Sequence, residues 1–71
     1  MKVSARNQLK GIIKKINKGD VNVEVIIELG PGVEITSVIT ASSAEKLELD
    51  IGKQVYAVVK ASHVMVGVDH D

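Results

Sequence analysis

Between positions 21 and 29 apolar residues occupy every second site: Val21, Val23, Val25, Ile27 and Leu29 alternate with Asn22, Glu24, Ile26 and Glu28. A period of two sends successive side chains to opposite faces of a pleated ribbon, so this stretch predicts a strand with one face buried. The alternation returns at Val33, Ile35, Ser37 and Ile39 against Glu34, Thr36, Val38 and Thr40 and predicts another. Gly30-Pro31-Gly32 lies between them and predicts a tight turn, because Pro31 has no N–H for a ladder and glycine favours turn geometry. Upstream, Gln8 to Ile16 is apolar with interspersed Lys and runs into Asn17-Lys18-Gly19-Asp20, which reads as a strand and a hairpin turn.

Beyond Thr40 the period changes. Ser42 is followed three residues later by Glu45, and Ala44, Lys46, Leu47 and Glu48 form helices acceptably. Ser42 is therefore expected to cap one or two helical turns through a capping box. Asp50-Ile51-Gly52-Lys53 turns the chain back, Gln54 to Ala61 is a near-continuous apolar run, and Val64 to Val68 predicts a fifth strand. The order β-β-β-short helix-β-β gives a mainly β fold class. Five strands with one helix after the third fit an OB-fold-like, partly open Greek-key barrel, with an SH3-like barrel as the alternative. One domain covers residues 1–71, without repeats or a linker.

Composition sharpens this picture. Twelve Val and eight Ile, no Phe, no Trp and only Tyr56 mean a core of small β-branched side chains. Such a core supplies about 3–5 kcal/mol in so short a chain, and natural domains of this size add disulfides, a metal or assembly. Cysteine is absent, which excludes disulfides and thiolate zinc sites, so self-assembly is the expected answer. Nine Lys and Arg balance nine Asp and Glu, leaving no general field to attract nucleic acid or a membrane surface. The first residues lack the apolar stretch of a signal peptide, and no run approaches the ~18 apolar residues of a membrane span, so a cytoplasmic protein is expected.

Candidate chemistry collects at the predicted strand ends. Ser4-Ala5-Arg6-Asn7-Gln8-Leu9-Lys10-Gly11 crowds together a hydroxyl, a guanidinium, two amides and an ammonium, all hydrogen-bond donors. Thr40 to Ser43 adds hydroxyls and the exposed N–H groups of a helix start, and Lys60 with Ser62 adds a second cation. Arg6 and Lys60 together balance a dianion. A rival reading takes Lys10, Lys14, Lys15 and Lys18 as a basic stripe for single-stranded nucleic acid, against which stand the neutral net charge and the lone Tyr56 as a stacking platform. Hydroxyl, His and carboxylate form no nucleophile motif and no glycine loop cradles phosphate, so an enzyme is not expected. Met65 reads as packing, and Asp69-His70-Asp71 as a solvated end rather than a metal site.

Three separated segments, Ser4 to Gly11, Ile39-Thr40-Ala41-Ser42-Ser43, and Val55 to Ser62 with Val64-Met65-Val66, resemble the molbindin (Mop) family over nearly the whole chain. The resemblance implies an OB-like domain that assembles as a hexamer, a trimer of dimers, and binds molybdate or tungstate between subunits without another cofactor. It also implies which residues hold the anion: Ser4, Ala5 and Arg6 from the opening segment, Thr40 and Ser43 from the strand-to-helix corner, and Lys60 from the end of the fourth strand. Arg6 and Lys60 are expected to approach the anion from different chains. Molybdate at neutral pH is a fully deprotonated dianion, which suits a site made only of donors, whereas hydrogen phosphate would press a proton against them. Sulfate has the same charge and is smaller, so rejecting it requires a rigid cavity of the right size.

Overall fold

The computed structural model describes residues 1–70; Asp71, part of the expected frayed end, lies outside the described residues. Four strands form one antiparallel sheet: β1 (Asn7–Lys18), β2 (Asn22–Gly30), β3 (Val33–Thr40) and β4 (Gln54–Val59), in the order β3-β2-β1-β4. A short helix, α1 (Ala41–Lys46), follows β3, and a 3-10 turn (Ala61–His63) follows β4. The mainly β class and the helix after the third strand are as the pattern predicts.

The period-two residues of β2 do what their spacing dictates. Val23, Val25 and Ile27 are buried and join Ile13 and Ala57 in the core, with Ile16, Leu29, Ile35, Ile39, Leu49 and Val55 packed around it. In β1 the period breaks. The register with β2 shifts between Ile13 and Lys15, so Lys14 is the extra residue of a β-bulge. One inserted residue lets Ile13 and Ile16, an odd and an even position, both turn inward. Gly11 lies where β1 runs tight against β2: a Cβ there would stand 2.6 Å from the Glu28 carbonyl oxygen and 2.6 Å from the Ile27 Cγ2.

Two expectations are corrected. The helix is capped by Thr40 rather than Ser42: Thr40 stays extended (φ −72°, ψ 152°) and its Oγ1 accepts the Ser43 amide at 3.1 Å. Helical geometry thus begins earlier than the Ser42–Glu45 spacing suggests. Its far end is held by Lys53, whose Nζ donates to the carbonyls of Leu47 (2.7 Å) and Glu48 (3.1 Å), with Glu48 in the left-handed region at φ 53°. The second correction is the fifth strand. β4 ends at Val59, the His63 amide turns back to the Lys60 carbonyl at 2.9 Å, and residues 64–68 leave the sheet without a ladder partner. Apolar patterning shows that a segment favours burial but not against which surface.

The resulting chain is under-covered. A monomeric globular protein of this mass exposes about 4,300 Å², whereas this chain exposes 5866 Å².

Candidate functional site

The last ladder pair between β1 and β4 is Asn7 opposite Val59, so continuing the register sets Arg6 opposite Lys60 at one end of the sheet. Ser4 and Ala5 immediately precede them on the same strand entrance. Arg6 and Lys60 therefore lie at one end of the same chain. Ser4, Arg6 and Lys60 are exposed and Ala5 is half-buried. The Gln8 amide donates to the Ala5 carbonyl at 2.9 Å, tying the approach to β1 into a turn. Among the described residues only Lys14 forms ion pairs, so both cations at this end face solvent without a carboxylate.

Thr40 and Ser43 sit elsewhere. Thr40 pairs with Asn22, and β1 reaches that end of the sheet only at Lys18, opposite Val23. From Asn7 to Lys18 a strand climbs roughly 35 Å, in a molecule whose longest dimension is 42 Å. Within one chain the six expected residues form two groups at opposite ends, too far apart to share one tetrahedral ion.

The corner at Thr40 is partly self-satisfied. Thr40 Oγ1 donates to Ser43 Oγ at 2.9 Å while accepting the Ser43 amide. The Thr40 proton and the Ser43 N–H are thus spent on the cap. Ser43 Oγ accepts from Thr40 and keeps its own proton free to donate outward. Three clefts on the chain are lined by none of the six residues.

The lysine stripe loses a member. Lys14 Nζ lies 2.7 Å from Glu34 and 3.6 Å from Glu28. The hydrogen bond to Glu34, followed by the charges of Glu34 and Glu28, raises its pKa above the usual lysine value. Lys10 stands over one face of the Tyr56 ring at 6.0 Å, the outer limit of cation–π attraction. Sequence reasoning missed Gln8 as a holder of the Ala5 turn; its place inside the opening motif was the available signal.

Residues 3–66 match the TOBE domain. A probable molybdenum-pterin-binding protein of Haemophilus influenzae is 46% identical over 69 residues, covering 97% of this chain and 100% of that protein. The structure of MopII from Clostridium pasteurianum superimposes with a TM-score of 0.88 at 43% identity, covering 94% of this chain and all of that one. The molybdate-bound structure of ModG, described as a cytoplasmic molybdate-binding protein, superimposes with a TM-score of 0.79 at 51% identity over 86% of this chain and 43% of the longer ModG chain. Matched over nearly its whole length by the domain and end to end by relatives of its own size, the chain belongs to the TOBE-domain family, among its Mop proteins.

Proposed function

We propose that this protein binds molybdate, and tungstate by the same chemistry, at sites completed between subunits of a homo-oligomer, and that it stores or buffers the oxyanion in the cytoplasm without catalysing a reaction. The observation that carries the reading is the roughly 35 Å strand between the two donor groups. Ser4, Ala5, Arg6 and Lys60 of one chain require Thr40 and Ser43 of another to surround an ion. The relatives named for molybdate or molybdenum-pterin binding support the ligand, and the cytoplasmic description of ModG supports the compartment.

Charge supports it too. Arg6 and Lys60 together match a dianion, and hydroxyl and backbone donors suit oxygens that carry no proton. Surface exposed beyond what a monomer shows supports assembly, for which the hexamer is the proposed state. The order β3-β2-β1-β4, in which β4 returns beside β1, supports the Greek-key reading.

Calorimetric titration with molybdate, tungstate, sulfate and phosphate, paired with the mass of the assembly by sedimentation, tests the proposal. Molybdate and tungstate are expected to bind well below millimolar, with sulfate and phosphate far weaker. Equal binding of sulfate removes the selectivity, and a monomer at micromolar concentration removes the shared site.

A further inference from the structure

Charge is segregated along the chain. Residues 1–19 and 51–68 hold eight of the nine Lys and Arg and none of the nine Asp and Glu. These segments carry β1 and β4, which pair side by side. The end where Arg6 meets Lys60 therefore has no carboxylate on either strand or on its approach. One further titratable group falls there. β4 stops at Val59, and the His63 amide donates to the Lys60 carbonyl at 2.9 Å. A turn closed between residues i and i+3 keeps their Cα atoms within about 7 Å, which ties His63 to the Lys60 end of the sheet. Its side chain is exposed and forms no ion pair among the described residues.

The charged groups on the elements that meet this turn are cations. Lys60 shares the turn and Arg6 stands across from it, with Lys2 and the Met1 amine further back on the approach to β1. Asp69 and His70 lie six and seven residues onward in the tail. An imidazolium in this setting is repelled by fixed charges until a dianion settles beside them, and the dianion then attracts it. The two events are reciprocal: a bound dianion favours the imidazolium, and the imidazolium strengthens the hold on the dianion. Imidazole changes charge between about pH 5 and 8, whereas guanidinium and lysine ammonium groups keep theirs. Molybdate also keeps both charges around neutrality, so the proton that varies belongs to the protein.

We propose that His63 is a further residue of the anion site, an imidazolium beside Arg6 and Lys60 that couples oxyanion affinity to pH. The inference rests on the molybdate-binding reading and adds a control on that same site: the ion is held more tightly as pH falls through neutrality and released as it rises. Because the coupling is one of exposed charges, it weakens with salt.

Calorimetric titration of the assembled protein with molybdate, from about pH 8 down to about pH 6, tests the coupling. Affinity of the parent chain is expected to rise about three- to tenfold, tenfold being the effect of one unit of proton affinity. His63→Gln should stay at the alkaline level throughout and His63→Lys at the acid level, while His70→Gln follows the parent. Titrations near neutrality in two buffers of different ionisation enthalpy should show the parent taking up a fraction of a proton with each anion, and His63→Gln taking up less. A flat parent profile overturns the proposal. So does a His63→Gln variant that keeps the parent's slope or proton uptake, or a His63→Lys variant that binds no tighter than His63→Gln. Arg6→Ala separates this inference from the reading beneath it: binding that Arg6→Ala weakens but pH leaves unchanged removes His63 alone, whereas binding that neither alters, or no binding at any pH, removes the site itself.

Discussion

The two ends of β1 hold donors of different standing. At the Arg6 and Lys60 end the side chains are exposed and have no ion-pair partner among the described residues, so the fold does not depend on them. At the Thr40 and Ser43 end the same hydroxyls that would meet a ligand also cap a helix, through bonds of 2.9 and 3.1 Å. One end supplies charge that folding leaves free, and the other supplies geometry that folding has already fixed. An anion gripped by both meets a flexible cationic pair and a rigid corner, and substitutions at the two ends should therefore fail differently.

The largest expected effect is on affinity. Charge-assisted hydrogen bonds contribute about 1.5–3 kcal/mol each, so Arg6→Ala or Lys60→Ala should weaken molybdate binding about ten- to a hundred-fold in calorimetry. Thermal midpoints should stay near that of the parent chain. Lys18→Ala is the control, because it changes the general field without removing a proposed contact; an equal loss there would reduce the binding to diffuse attraction.

Gly11 tests the strand joining the ends. With backbone and Ile27 crowding any added Cβ, Gly11→Ala should cost about 1–3 kcal/mol by overpacking. Denaturant midpoints should fall while folded, assembled protein retains its affinity for molybdate. Unchanged stability would mean that β1 and β2 can separate there freely.

Thr40→Ala should cost about 1 kcal/mol through the lost cap, lowering the thermal midpoint by about 4–8 °C in a domain of this size. Thr40→Ser should restore most of it. The comparison between the ends collapses if Arg6→Ala lowers the midpoint as far as Thr40→Ala does.

The smallest effect concerns Lys14. Its folded pKa is raised above the ordinary 10.5, chiefly by the hydrogen bond to Glu34. A raised lysine stabilises the fold fully below its unfolded pKa and loses that contribution as pH rises through the folded value. Unfolding followed by pH should therefore show a slight alkaline decline above about 10.5 that Lys14→Met removes. Because the ammonium is exposed, the decline should shrink in high salt.

Strands β2 and β3 were legible because their alternation is uninterrupted from Val23 to Ile27 and from Ile35 to Ile39. The bulge was not, since Ile12, Ile13 and Ile16 look alike until pairing decides which turn inward. Thr40 was missed as the cap because two hydroxyl residues follow it, and composition does not say which oxygen meets a free amide. Candidate donors could be picked out by type, yet their separation depends on register: only Asn7 opposite Val59 and Thr40 opposite Asn22 reveal that Arg6 and Thr40 lie at opposite ends. The tail showed its apolar character and withheld its partner.

The length of β1 has a thermodynamic consequence on the proposed reading. A chain that holds only half of each site cannot take up its ligand alone, so occupancy and association become linked equilibria. Oxyanion in excess stabilises the assembly by RT ln(1 + [L]/Kd) for each site, and dilution of the protein releases the ion in return. Apparent affinity should then rise with protein concentration until every chain is assembled, and plateau above that point. A cell could change how tightly the oxyanion is held by changing the amount of this protein, with no alteration to any residue that touches the ion.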